Sequence, residues 1–347
     1  MSSLLLRRRP MLGRGTALSM LFGATGPFLW VFVWLFIGLS LSPTMAGAAS
    51  CCGGGASSGL VLPKFTDYMA DLSLGLEYYD GFWDEKGRQK PDPPGSRLAQ
   101  YRLTPGGAYR LAPNWQASLV VPYVWNSTRY AGSSYSTRGL GDTSLGFWYE
   151  TFDTITCVYQ VNSIQDLKPA VYLGAALLIP TGISPYDSVE NNFDITGKGF
   201  YRADANLMVE KSVYPWSLTF NLSHGVHFSR PVNRENGQYV NPYRKKLGDR
   251  SMWSLGLGYT QFLEEADTIT YSLTQADLRE GKTSLDGRVD PNSGFRKRSQ
   301  TAGISYTTSD QSWTVKGSWN RSPRRNGWGR SFPITDSYTI GASRVFY

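Results

Sequence analysis

The sequence predicts an all-β chain: an antiparallel transmembrane β-barrel of about twelve strands, preceded by a signal peptide. Three observations carry this. Apolar and polar residues alternate in segment after segment from Asp67 to Tyr347, the apolar rows end in Trp or Tyr, and the connections alternate short and long. Successive side chains of a strand point to opposite faces, so each segment is a ribbon with one apolar and one polar side.

Bulk composition agrees. The 347 residues are 41% hydrophobic, too few for a bundle of membrane helices, while 37 Gly, 21 Tyr and 11 Trp suit tight strands and interfacial aromatics. The formal charge is +8, but Arg7, Arg8, Arg9 and Arg14 stand in the first 50 residues without an acid, leaving +4 beyond them. That balance is too mild to argue for nucleic acid as a partner.

Three regions follow. Residues 1–49 read as a signal peptide: Arg7–Arg9 supply the positive region, Phe28–Leu41 the apolar core, and Ala46–Ser50 the small-residue exit, with cleavage after Ala48 or Ala49. A retained anchor is the alternative, and Pro27 argues against it. Residues 50–66 read as a flexible periplasmic segment, with Cys51 and Cys52 followed by a Gly/Ser-rich linker. Ala48 stands where a lipobox carries Leu, so a lipid on Cys51 has little support. Residues 67–347 read as the barrel, and no plug is visible in the sequence.

The expected strands are 67–79, 98–110, 114–125, 140–150, 168–179, 199–211, 215–228, 250–262, 268–279, 299–307, 311–319 and 336–347, most of them near the length that crosses a bilayer when tilted. Trp115, Ala117, Leu119, Val121, Tyr123 and Trp125 form one apolar row. Trp216, Leu218, Phe220 and Leu222 form a second, Trp253, Leu255, Leu257 and Tyr259 a third, and Trp313, Val315 and Trp319 a fourth. Such rows match the aromatic girdles of a barrel in lipid. The opposite faces carry Asp71, Glu77, Arg102, Arg110, Asp142, Arg202, Asp204, Glu210 and Lys316, which would line the lumen in both signs.

The joins at 112–113, 212–214, 263–267 and 308–310 are short, and 151–167 belongs with them by position although it is longer. Those at 80–97, 126–139, 180–198, 229–249, 280–298 and 320–335 are long. Short periplasmic turns alternating with long outer loops are the rule for bacterial outer-membrane barrels, and an even strand count leaves both termini periplasmic. The last strand closes on Phe346-Tyr347, similar to the terminal signal read by the outer-membrane assembly machinery, although Arg344 interrupts its apolar spacing. In this topology Cys157 shares the periplasmic side with Cys51 and Cys52. A disulfide from one of them to Cys157 is therefore allowed, and a reduced thiol on an extended strand is the alternative.

The stretch Gly139-Leu140-Gly141-Asp142-x-Ser144-Leu145-Gly146-x-x-Tyr149, followed by an apolar strand ending Pro180-Thr181-Gly182, resembles the outer-membrane family named for the MetA pathway of phenol degradation. Gly197–Phe200 and the hairpin through Pro215-Trp216 also look like that family, so the resemblance covers about 120–230. It implies a transporter or channel and no catalytic residues. The Cys51-Cys52-Gly-Gly-Gly start and the 151–167 insert depart from its pattern.

The residues point to no cofactor: the chain has two histidines, no paired-cysteine motif and no phosphate loop. One enzymatic reading stands against this. His224, His227 and Ser229 lie near the end of the seventh strand, and His227-Phe228-Ser229 copies the His-x-Ser spacing of outer-membrane phospholipase A. Parity opposes it, because Trp216, Leu218 and Phe220 face lipid and the odd-numbered His227 and Ser229 then face the lumen. The outer loops are basic, with Arg230, Arg244, Lys245 and Lys246 in one and Arg324 and Arg325 in another. They could gather anionic solutes by electrostatic focusing or meet the phosphates of outer-leaflet lipopolysaccharide.

The expectation is therefore a bacterial outer-membrane channel for passive passage of small molecules, not an enzyme, with membrane lipid, the assembly machinery and a small solute as partners. The alternatives are a structural or adhesive barrel working through its loops, and the surface lipase. A channel predicts an unblocked row of Arg102, Arg110, Arg202, Asp204 and Lys316, whereas a structural barrel predicts those charges paired across the lumen.

Overall fold

The computed structural model describes residues 60–130, 132–151, 157–189 and 195–347. The expected signal peptide, Cys51 and Cys52 lie outside the described residues.

Twelve antiparallel strands form one closed wall. They are β1 (Tyr68–Trp83), β2 (Arg97–Ala112), β3 (Trp115–Val120, resumed as Tyr123–Tyr130), β4 (Ser133–Leu140, resumed as Thr143–Glu150), β5 (Ala170–Ile179) and β6 (Arg202–Val213). Then follow β7 (Trp216–His227), β8 (Arg250–Phe262), β9 (Thr268–Glu280), β10 (Phe295–Thr307), β11 (Trp313–Arg321) and β12 (Phe332–Phe346). Each strand pairs with the next, and β12 returns to β1 from Tyr68 opposite Phe346 to Trp83 opposite Phe332, so the wall has no edge.

The faces fall as the alternation requires. Leu72 and Leu74, Trp115 and Leu119, Leu173 and Leu177, Trp216 and Leu218, Leu255 and Leu257, Leu273, Ile304, Val315 and Ile340 are all exposed large apolar side chains on the outer face. A soluble protein does not display so much contiguous apolar surface. A wall whose backbone groups are paired all round and whose outside is apolar is the β solution to crossing lipid. Arg344, the residue that interrupts the last apolar row, lays its guanidinium 5.2 Å from the Trp313 ring centroid and 4.7 Å from that of Phe346. Its charge is carried on aromatic faces at the end of the strand, which is how the row tolerates it.

One rim carries the turns at 113–114, 214–215, 263–267 and 308–312, together with the longer segment 151–169; we call it the short-turn rim. In that longer segment Cys157–Val158 runs parallel to Ser212–Val213. The opposite, long-loop rim differs from expectation in several places: β1 runs on to Trp83, β10 and β12 begin earlier, at Phe295 and Phe332, and one expected loop is strand throughout most of its length. Residues 126–139 are not a loop. β3 and β4 continue through them as a hairpin paired from Tyr123 opposite Leu140 to Tyr130 opposite Ser133. Ser, Thr, Asn and Arg occupy both of its faces, so no apolar row marks it as strand, yet backbone pairing needs none. Both strands break at one level, Val121-Pro122 facing Gly141-Asp142, where proline has no N–H to give the ladder. The Pro122 carbonyl instead accepts the Gly141 N–H at 2.8 Å. Above the rim, Arg230–Glu235, Gln238–Lys246, Ser284–Leu285 and Arg288–Val289 make a separate four-stranded sheet from two loops.

Candidate functional site: the barrel interior

The segment before β1 lies inside the barrel at the short-turn rim. Leu62 is buried and its N–H donates to Gln116 Oε1 at 2.5 Å; Gln116 points inward from β3. Val61 packs against the inward cluster Trp148, Ala170, Tyr172 and Met208 from β4, β5 and β6. Lys64 pairs with Glu150 of β4 at 2.8 Å, both side chains less than a tenth exposed. Arg110, inward on β2, donates from Nη2 to the Pro63 carbonyl at 2.9 Å and from Nε to the Thr66 carbonyl at 2.8 Å. Leu60 lies so close to Gly106 of β2 that a Cβ there would meet its side chain. The cluster itself needs Gly174 of β5, because a Cβ there would fall 2.6 Å from the Trp148 ring. Seven residues, 60–66, thus fill part of the lumen, where the sequence showed no plug.

The long-loop end of the lumen holds a second group. Lys198 reaches Glu280 of β9 at 2.5 Å, and Arg202 of β6 holds Asp204 through Nε at 2.7 Å and Nη2 at 3.0 Å. Arg250 of β8 stands opposite Glu280 in the register, and Asp204 stands opposite Gly225, whose missing side chain leaves room for the Arg202–Asp204 pair. Three cations share this end with Glu280, Asp204 and Asp142, which accepts the Lys198 N–H. Burial draws the Lys198 ammonium below its usual range even with Glu280 beside it. Arg202 Nη1 and His227 Nε2 are buried with no hydrogen-bond partner among the described residues.

Twelve strands enclose more than the eight whose side chains just fill a barrel, and fewer than the sixteen of an open porin. A polar interior, a segment across one end and a charged ring at the other, within an apolar outer wall, define the arrangement. The fold is that of an outer-membrane barrel. An outer membrane channel from Pseudomonas putida F1 has a similar structure, with a TM-score of 0.61 and 12% identity over 85% of this chain and 100% of that one. The β-domain of the Bordetella autotransporter Brka scores 0.48 at 11% identity, over 81% of this chain and 100% of that one. At such identities the likeness is one of fold. No protein-family model matches the chain, and no curated protein matches it.

The inward-facing residues expected from sequence divide by what they touch. Arg110 and Asp142 anchor chain segments: Asp142 accepts the N–H of Lys198 at 2.8 Å and of Gly182 at 3.2 Å, tying the 180–201 loop to the strand break. Lys316 of β11 pairs with Asp71 of β1, and Arg202 pairs with Asp204. Glu210 accepts from Tyr172 Oη at 3.4 Å beside the docked segment. Arg102 donates to Gln100 at 2.8 Å and is exposed. Lys297, which sequence reading passed over, lies 3.6 Å from Glu77. The pairs run along the wall between residues of one strand or of strands two or three apart. Of the row Arg102, Arg110, Arg202, Asp204 and Lys316, all but Arg102 are engaged by a carboxylate, a cation or the docked segment. The row is therefore not the unblocked one expected of a channel, and its ion pairs run along the wall rather than across the lumen.

His227 and Ser229 do not form a nucleophile–base pair. His227 is buried on the inward face and its Nδ1 donates to the Gly248 carbonyl at 2.8 Å, while Ser229 Oγ accepts from Arg244 at 3.0 Å. His224 points outward to Ser251 at 2.9 Å. With the serine bonded to an arginine and the histidine to a backbone carbonyl, the described residues do not pair the two as base and nucleophile.

The basic loop residues largely hold the loops together. Arg230 bonds the Gly199 carbonyl at 2.6 Å and lies over the Tyr186 ring, Lys246 sits 3.9 Å from Asp249, and Arg324 pairs with Asp80. Arg325 contributes its carbonyl to Trp83 Nε1 at 3.0 Å. Lys245 and Tyr243 both donate to Glu235, at 2.9 and 2.5 Å. Burial alone would raise the Glu235 carboxyl, but these two donors outweigh it and hold the group below its usual range. A depressed carboxylate stabilises the fold above its unfolded pKa and ceases to do so as pH falls through its folded value. Amide protection factors in the loop sheet, that is the intrinsic exchange rate at each pH divided by the observed one, should therefore fall on acidification below about pH 4, with those of the barrel strands unaffected. Equal protection factors at about pH 7 and about pH 3 would contradict this.

Proposed function

We propose that this protein is an outer-membrane channel for passive passage of small molecules, closed in this conformation by residues 60–66. The observation that carries the reading is the interior. It is wide enough to need filling, lined by ionic groups, and crossed by a short segment held by one ion pair and a few hydrogen bonds. A purely structural barrel would need no removable piece of chain there. In this reading the short-turn rim is periplasmic, both termini lie on that side and the long loops face the cell exterior, following the rule for bacterial barrels. The aromatic end of β12 fits recognition by the assembly machinery. The resemblance around Gly139–Gly182 supports a place near the MetA-pathway family.

At the outer mouth Lys198, Arg202 and Arg250 stand with Asp204, Glu280 and Asp142; Asp142 is occupied by backbone N–H groups of the loop, and the unpartnered Arg202 Nη1 is a donor within the mouth. Positively charged constrictions favour anions. Single-channel recording in a planar bilayer under a salt gradient tests both parts. Stepwise conductance with a reversal potential on the anion side is expected, and Lys198→Gln with Arg250→Gln should move that potential toward cation preference. A folded barrel that never conducts, even without residues 60–66, would overturn the channel reading in favour of a barrel acting through its loops.

A further inference from the structure

We propose that the outer wall near the long-loop rim carries a binding site for the phosphate of an outer-leaflet glycolipid, built by Arg279, Arg296, Arg298 and Arg330. The lipid-facing positions of β9 are odd-numbered and those of β10 even-numbered, as the exposed Tyr271, Leu273, Ile304 and Tyr306 mark. Following the same faces toward the long loops leads to Asp277 and Arg279 on β9 and to Arg298 and Arg296 on β10. Asp277 stands opposite Arg298, Arg279 opposite Arg296, and Arg296 opposite Arg330 in the short strand Gly329–Arg330. These four arginines are therefore on the outside of the barrel, not in the lumen.

Asp277 organises them. Its side chain is 3% exposed and accepts from Arg279 Nε at 2.9 Å, Arg296 Nη2 at 2.5 Å and Arg298 Nε at 3.0 Å. One carboxylate thus fixes three guanidiniums in place while Arg279 stays 59% and Arg298 38% exposed. Like charges directly opposite on neighbouring strands repel, and here two such pairs, Arg279–Arg296 and Arg296–Arg330, lie side by side. Four cations around one anion leave an excess that a multiply charged oxyanion would neutralise, and the guanidinium fork matches phosphate geometry. Arg279, Arg296 and Arg330 also line a groove of about 500 Å³ with Lys86, and Glu85 and Glu280, the latter paired with Lys198, are the acids on its border.

The neighbouring wall selects the source of the phosphate. Trp253 of β8 stands opposite Asp277, and Leu255, Tyr271 and Leu273 continue the exposed apolar surface below it. A molecule with acyl chains on those residues would bring a phosphomonoester to the arginines, whereas a soluble anion would gain nothing from the apolar part. The assignment to the outer leaflet rests on the orientation proposed above. The site does not depend on whether the lumen conducts.

The test uses the full refolded barrel in detergent, titrated with bisphosphorylated lipid A, with the same lipid after removal of both phosphates, and with inorganic phosphate. The phosphorylated lipid should bind, the dephosphorylated one at least about tenfold more weakly, and inorganic phosphate should not displace it at equal concentration. Arg279→Gln with Arg330→Gln leaves Arg296 and Arg298 on Asp277 and should weaken lipid A binding by about tenfold, with folding checked by heat-modifiable gel mobility. Equal binding of the two lipids by the unaltered protein overturns the phosphate site. Full displacement by inorganic phosphate overturns the lipid as its occupant. Should the double variant not fold, the lipid comparison on the unaltered protein still decides.

Discussion

Removal of residues 60–66 should raise single-channel conductance several-fold while leaving the barrel folded. The segment occupies the short-turn end of the lumen against Gln116, Trp148, Tyr172 and Met208, and it is held through the side chains of Gln116, Arg110 and Glu150, whereas the wall is closed by the β1–β12 ladder. Its loss therefore widens the path without opening a seam. The measurement is conductance of the deleted and full chains in the same bilayer and salt. An unchanged value would place the limiting constriction at the Lys198–Glu280 and Arg202–Asp204 level instead.

The second large effect concerns Glu150. Its partner Lys64 is almost fully buried, with Glu210 as a second, less closely placed carboxylate. Removing the nearer member of such a buried pair costs up to roughly 3–5 kcal/mol, because the remaining carboxylate replaces only part of the lost attraction. Full burial of a Leu-sized side chain such as Leu62 contributes only about 1.5–3 kcal/mol in the other direction. Glu150→Gln should therefore release the segment from the lumen rather than strand Lys64 inside. Protease cleavage near Lys64 in intact proteoliposomes would rise, and conductance would approach that of the deleted chain. Replacing both partners, Lys64→Met with Glu150→Met, removes the unpaired charge and should restore docking and protection. Protection that is equally strong in the Glu150→Gln chain would show that the ion pair is not what retains the segment.

The wall was legible in the sequence because its two faces obey different solvents. Trp216-x-Leu218 and Trp313-x-Val315 can only be read one way once lipid lies outside. The upper half of the β3–β4 hairpin was illegible for the converse reason. Asn126, Ser127, Thr128 and Arg129 leave the bilayer, no face there is required to be apolar, and the period-2 signal disappears although the pairing does not. The interior was legible as to which residues point inward, but not as to what they touch. Asp142 and Arg110 look like lining charges, and only the folded chain brings Lys198 to one and Pro63 to the other. Leu60–Thr66 is too short and too close to a Gly/Ser linker to announce a docking role. Its one hint was Leu60, Val61 and Leu62 standing together ahead of the first strand. The arginines at 279, 296 and 298 sat within expected strands or next to one, yet parity alone would have placed them outside, where charge is unexpected and therefore informative.

The docked segment also orders events during assembly. Its resting place is made of side chains contributed by β2, β3, β4, β5 and β6, so it does not exist until those strands have paired and curved into a wall. The segment is joined directly to β1, whose partner β12 is the last strand of the chain. Docking therefore needs β2 to β6 in place but not the seam between β1 and β12, so the segment can settle against one half of the wall before the last strand of the chain closes it.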